Sequence, residues 1–91
     1  MRFFFHPEAD AEFDKVVDYY EQCQPGLGVD FAEDAYAAIA RIIEYPESCI
    51  RLSANTRRCL LNRFPYGLIY QIQQDAISII AVANLHKRPN Y

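Results

Sequence analysis

The chain has 91 residues, 52% of them hydrophobic, 14% aromatic and 23% charged, with a formal net charge of −3. This composition excludes a disordered polar chain and bounds the protein to one small domain over residues 1–91, near the size at which burial against a partner contributes usefully to stability. The modest total hides a polarised molecule: residues 1–50 carry three Lys/Arg against eleven Asp/Glu, a net of −8, and residues 51–91 carry six against one, a net of +5.

Arg2–Phe5 is short, aromatic and followed by His6 and Pro7. That predicts a strand over 1–6 leading straight into a helix with Pro7 in its first turn, where a missing N–H leaves no bond unmade. Ala9, Phe13, Val16, Val17, Tyr20 and Cys23 then recur at helical spacing, with Glu8, Asp10, Glu12, Asp14, Lys15, Asp18 and Glu21 on the remaining positions, the pattern of an amphipathic helix. The run Gln24-Pro25-Gly26-Leu27-Gly28 breaks it, as Pro and Gly do. A second stripe of Phe31, Ala35, Ala38, Ile39, Ile42 and Ile43 follows and stops at Tyr45-Pro46. Two helices of about 16 residues on so short a link fold back as an antiparallel hairpin, here over 7–45.

Glu47–Thr56 reads as irregular, with a short extended piece at Cys49–Leu52. Arg57–Arg63, Gly67–Gln73 and Ala76–Asn84 read as strands joined by Phe64-Pro65-Tyr66 and Gln73-Gln74-Asp75, hence a β-meander over 57–84 ahead of a basic, aromatic tail over 85–91. Leu68, Tyr70 and Ile72 alternate with Ile69, Gln71 and Gln73, and Ile77, Ile79 and Ala81 alternate with Ser78, Ile80 and Val82, so neither face of the sheet is wholly polar. The helical hairpin covers one face; nothing left in the chain covers the other, which points to a partner. The expected fold class is α+β: an N-terminal strand and an antiparallel helical hairpin packed on a small, mainly antiparallel C-terminal sheet.

Cys23, Cys49 and Cys59 form no CxxC pair and are odd in number, which argues for reduced thiols and against a disulfide framework. His6 and His86 lie at opposite ends of the chain, neither near a cysteine in sequence, so no metal site is expected. Gly26-Leu27-Gly28 lacks the lysine of a phosphate loop and reads as a turn, so no cofactor is expected. No apolar run approaches the roughly 20 residues of a membrane span, and the opening Met1–Phe5 is too short for a signal peptide; the expected location is the cytoplasm.

The remaining chemistry is basic. Arg51, Arg57, Arg58, Arg63, Lys87 and Arg88 are interleaved with Tyr66, Tyr70, His86 and Tyr91, a pattern open to three readings: a solvated sheet face, a surface for an acidic protein partner, or a nucleic-acid surface. His86 is able to act as a general acid or base with Arg63 and Tyr91 in an RNA-cleaving site, but no carboxylate or lysine stands at a recognisable spacing to complete an acid–base pair. Cys59, inside an apolar strand, reads as a small core residue.

The segments Arg57-Arg58-Cys59-Leu60-Leu61-Asn62-Arg63-Phe64-Pro65-Tyr66, Ile69-Tyr70-Gln71-Ile72 and Ile77 to Tyr91 with its closing His86-Lys87-Arg88-Pro89-Asn90-Tyr91 resemble the ParE/RelE superfamily of toxins from bacterial type II toxin–antitoxin (plasmid-stabilisation) modules. The likeness spans essentially the whole chain. It implies a compact toxin held inactive, in a toxin–antitoxin hetero-oligomer, by an antitoxin segment wrapped around it. It leaves two targets: RelE-like members cut messenger RNA on the ribosome, and ParE-like members poison DNA gyrase without nuclease activity. With only Lys15 and Lys87 as lysines and an acidic balance, the ParE-like reading is favoured, because RNA binding rests on phosphate neutralisation. The binding residues expected for antitoxin or target are Arg57, Arg58, Arg63, Ile69, His86, Lys87, Arg88 and Tyr91. In the ribonuclease alternative, Arg63 and Arg88 bind phosphate while His86 or Tyr91 transfers protons; an inactive, antitoxin-binding member is the third possibility.

Overall fold

A computed structural model describes residues 1–86. In chain order the elements are β1 (Arg2–Phe5), α1 (Pro7–Cys23), α2 (Leu27–Glu44), β2 (Ile50–Arg51), β3 (Arg57–Leu60), β4 (Tyr66–Gln73) and β5 (Ala76–Asn84). The sheet runs β1-β5-β4-β3-β2, with β1 parallel to β5 and every other neighbour antiparallel. The helical hairpin is the crossover that carries the chain from one edge strand to the rest of the sheet, and it lies on one face.

The helices begin and end where local chemistry dictates. His6 Nδ1 accepts the Glu8 N–H at 3.2 Å, Pro7 occupies the first turn, and Glu8 and Asp10 place negative charge there, where the helix dipole favours it. Between the helices Gly26 has φ +89°, a left-handed conformation that favours glycine. Gly28 is required for a different reason: a Cβ there would sit 2.7 Å from the Val17 carbonyl oxygen and 3.1 Å from Glu21 Cβ. The glycine lets α2 start in contact with α1. Glu21 completes the turn by accepting the N–H groups of Gly26, at 3.0 and 3.1 Å, and of Gly28, at 3.1 Å, so one carboxylate caps the second helix from the first.

The core forms between layers. Ala9 and Phe13 of α1 and Phe31, Ala35, Ala38, Ile39 and Ile42 of α2 meet Cys59, Leu68, Tyr70, Ile77, Ile79 and Val82 of the sheet. Phe13, Phe31, Tyr20, Phe64 and Tyr66 form a run of aromatic contacts with centroids 4.8 to 6.2 Å apart, a spacing at which edge-to-face pairs attract. Cys23, the last residue of the α1 stripe, is exposed, because the helix ends there.

Three features differ from the sequence reading. The extended piece at Cys49–Leu52 is a paired two-residue strand, β2. The strand predicted over Arg57–Arg63 stops at Leu60. The reason is Asp34, buried in the middle of α2 at 6% exposure: its carboxylate accepts the N–H groups of Asn62 at 3.2 Å, Arg63 at 2.8 Å and Phe64 at 3.3 Å. Those donors turn toward the helix and are lost to the ladder. Third, β5 does not alternate throughout: Tyr70 pairs with Ile79 but Ile69 pairs with Ala81. Ile80 is thus the extra residue of a bulge, and Val82, not Ala81, joins Ile77 and Ile79 in the core.

The parallel β1 covers β5 only as far as Ile79. Beyond it, the next edge donor is met by a side chain, with Val82 N–H donating to Glu12 Oε1 at 3.0 Å, so α1 closes the edge that β1 leaves open.

Replacing Asp34 with alanine strips three backbone donors of their acceptor, and the folded state should lose about 2–4 kcal/mol, read as a lower urea midpoint. Asp34→Asn should fall between, since it keeps an acceptor oxygen but turns an amide donor toward the same N–H groups.

Candidate docking surface

The register sorts the sheet residues into two faces. Opposite the helices lie Phe4 of β1, Ile50 of β2, Arg58 and Leu60 of β3, Gly67, Ile69 and Gln71 of β4, and Ser78, Ala81 and Ala83 of β5. No helix lies on this side among the described residues; Gly67, Ile69, Ser78 and Ala83 are nonetheless buried, and Arg58, Gln71 and Ala81 partly so. Phe4 (47%), Ile50 (62%), Leu60 (48%) and the neighbouring Leu52 (40%) are exposed apolar side chains. A groove of about 710 Å³ crosses this side, lined by Leu52, Ser53, Thr56, Ile69, Ile80 and Ala81, with Glu8 and Glu12 of α1 at its rim. The β5 bulge helps to shape it by setting Ile80 and Ala81 side by side on the groove wall.

Arg58 stands on this face one strand in from the β2 edge. Its stem lies flat over Gly67: a Cβ on residue 67 would be 3.0 Å from Arg58 Cγ and 3.2 Å from its Cδ. Gly67 therefore makes room for the stem, and the stem in turn lies beside Ile69, its register partner, which is only 3% exposed. Arg58 Nε is buried and has no hydrogen-bond partner. A guanidinium remains charged at any physiological pH, so an unmet buried donor is a standing cost that an incoming acceptor would relieve.

The arginines paired in the sequence reading separate. Arg57 points to the helix side, where its Nη1 donates to the carbonyls of Glu47 at 2.8 Å and Cys49 at 3.0 Å; it braces the loop before β2. Arg63 sits outside both faces, in an ion pair with Asp30 at 3.5 Å, its guanidinium carbon 5.7 Å from the Phe64 ring centre. His86 is exposed, and its N–H donates to Asn84 Oδ1 at 2.9 Å. It lines a recess of about 490 Å³ with Lys15, Val16, Tyr19, Tyr20, Pro65, Tyr66 and Asn84. Arg63 is not part of that recess. Lys87, Arg88 and Tyr91 lie outside the described residues.

The fold thus brings Ile69 and Arg58 together on the open face, and sends Arg57, Arg63 and His86 to three other places. It also supplies what sequence reasoning did not find: the groove wall of Leu52, Ser53, Thr56 and Ile80, and a lysine, Lys15, beside His86. Lys15 and His86 are joined only by the packing of α1 on β5, which no local spacing reveals. Burial pushes the Tyr20 phenol above its ordinary range and the Tyr70 phenol far above it, and pushes the Cys59 thiol up to about 11; all three stay protonated near neutral pH. Among the described residues no group of three His, Cys, Asp or Glu side chains is placed to hold a metal ion, and no helix is long and apolar enough to cross a membrane.

The architecture is a helical hairpin on one face of a five-stranded sheet whose other face carries no helix among the described residues and keeps Phe4, Ile50 and Leu60 exposed. The sequence matches, over residues 3–89, the family described as ParE toxin of type II toxin–antitoxin system, parDE. The chain belongs to that family. A solved structure described as the chromosomal ParDE TA system from P. aeruginosa shares the fold, with a TM-score of 0.81 at 16% identity over 94% of this chain and 97% of that one. No curated protein matches the sequence.

If the Arg58 stem packs while its buried Nε is unmet, Arg58→Met should leave the isolated protein as stable or more so, by up to about 1–3 kcal/mol. Gly67→Ala should lower the melting temperature, because its methyl group displaces that stem. Differential scanning calorimetry of the two variants measures both.

Proposed function

We propose that this chain is a non-enzymatic toxin that binds and inhibits DNA gyrase, and that a cognate antitoxin neutralises it by seating a segment on the open face of the sheet. The observation that carries the antitoxin half is the groove past Ile69 with the buried, unmet Nε of Arg58 beside it. It fits an extended or helical segment that presents apolar side chains to Leu52, Ile69 and Ile80 and an acceptor to Arg58. Apolar burial would supply affinity, and the acceptor would fix register. The pairing of an amphipathic segment with a preformed groove is a common mode of peptide recognition.

Inhibition by binding is supported by family membership and by where the described cations Arg57 and Arg63 lie. Cleavage of RNA calls for positive charge gathered at the phosphates of the reacting strand. Arg57 is occupied by carbonyls of its own chain and Arg63 by Asp30, and His86 lies in a recess that neither of them lines. The net charge of −3 is also a poor basis for holding a polyanion.

The test is a supercoiling assay with purified gyrase. Micromolar protein should block supercoiling, and equimolar antitoxin should restore it; undiminished supercoiling together with cleaved ribosome-bound messages would overturn the gyrase reading in favour of ribonuclease action. For the docking half, Arg58→Glu should weaken antitoxin binding by about a hundredfold or more in calorimetric titration, the scale expected for a misplaced buried charge.

A further inference from the structure

Away from the open face, the fold brings together two thiols that the function leaves unused. The β2–β3 ladder pairs Ile50 with Arg58 and Arg51 with Arg57; Cys49 is the residue just before β2, and continuing the ladder by one step sets it opposite Cys59. The phase of the ladder follows from Leu52 N–H, which donates to the Thr56 carbonyl at 2.9 Å. Pairs 52/56 and 50/58 are then hydrogen-bonded positions, and 49/59 falls on the alternate kind. There, opposed Cα atoms lie about 4.5 Å apart and side chains approach most closely, inside the roughly 4.4–6.8 Å that a disulfide spans.

Both side chains point to the helix side. Cys59 is 5% exposed, with Arg41 Nη2 4.0 Å from its sulfur and the Ala38 carbonyl at 3.9 Å. Cys49 packs on the same core and is partly exposed. Tyr70 is tied off, its hydroxyl donating to the Pro46 carbonyl at 2.8 Å. Cys23 is exposed at the far end of α1. The arrangement is an accessible thiol backed by a buried one, at the position in an antiparallel ladder that suits a bridge.

We infer that Cys49 and Cys59 form an oxidation site, at which a peroxide converts the two thiols into a disulfide that locks β2 onto β3. The Cys49 thiolate attacks one peroxide oxygen; the O–O bond breaks, leaving a sulfenic acid on Cys49 and a hydroxide that takes up a proton. Cys59 then gives up its proton and its sulfur attacks the Cys49 sulfur. The S–S bond forms as the S–O bond breaks, and the departing hydroxide leaves with that proton as water. Two thiols lose two electrons, and one hydrogen peroxide becomes two waters. Burial holds Cys59 protonated and shielded from the oxidant, which makes it the resolving thiol, and the intramolecular geometry offsets its weak acidity. The bridge closes a short loop around Leu52, Ser53 and Thr56, at an edge strand of only two residues.

The experiment uses the full chain carrying Cys23→Ser, so that the third thiol takes no part. After hydrogen peroxide, both remaining thiols should disappear together, the intact mass should fall by about 2 Da, and peptide mapping should find Cys49 joined to Cys59. Dithiothreitol should reverse all three, and the oxidised form should melt about 10 °C higher, as a bridge across a short loop predicts. In Cys49→Ser, Cys59 should remain a free thiol at the same peroxide dose; in Cys59→Ala, dimedone should capture a sulfenic acid at Cys49. The inference is overturned if the folded Cys23→Ser protein carries sulfinic acid at Cys49 while Cys59 still counts as a thiol. It is equally overturned if both thiols survive a dose that oxidises free cysteine.

Discussion

One carboxylate in the middle of the second helix organises the half of the molecule that follows it. Asp34 accepts three successive backbone donors, from Asn62, Arg63 and Phe64, and a buried acid is tolerated only when its oxygens are met in this way. By taking those donors it ends β3 after Leu60 and folds the chain back so that Leu61 N–H reaches the Tyr66 carbonyl at 2.9 Å. It also drives Phe64 into the aromatic cluster, 4.8 Å from the Tyr20 ring and 5.4 Å from that of Phe31. Through these contacts a helix residue determines where β4 begins, and therefore which residues of β4 face the helices and which face away.

The two faces of the sheet divide the protein's tasks. On the helix side, Leu68, Tyr70, Ile77 and Ile79 are fully buried, and each such side chain contributes about 1.5–3 kcal/mol, so this side carries most of the stability. The other side keeps apolar residues in contact with water, which weakens a lone chain and rewards a partner. The bulge at Ile80 links the two: it lets β5 supply Val82 to the core and still present Ile80 and Ala81 to the groove. Edge protection follows the same logic, with Glu12 closing what β1 leaves open.

Much of this was legible in the residues. The helical stripes, the Gly-Leu-Gly turn and the three late strands are written as hydrophobic period and breakers, and Ile69 was placed correctly on the face away from Leu68 and Tyr70. The limits of local pattern show at Asp34: it lies three residues after Phe31 on the apolar stripe, a visible anomaly, but its partners are 28 to 30 residues away. Periodicity carries no information about a bond of that range. The Ile80 bulge has no signal either, since Ile79-Ile80-Ala81-Val82 is apolar at every position.

What the sequence determined by itself was the two helices, the first strand and the three late strands in their order, the polarity of charge between the halves, and apolar residues on both faces of the sheet, because each depends on residues near one another in the chain. Only the tertiary structure decided which arginine meets the open face. Arg57 and Arg58 are equivalent as a dipeptide, and the strand pleat sends one to brace a loop and lays the other across Gly67. Only the ladder register, similarly, set Cys49 against Cys59. Both outcomes turn on a single residue of register, which is held by long-range packing and by the clamp at Asp34.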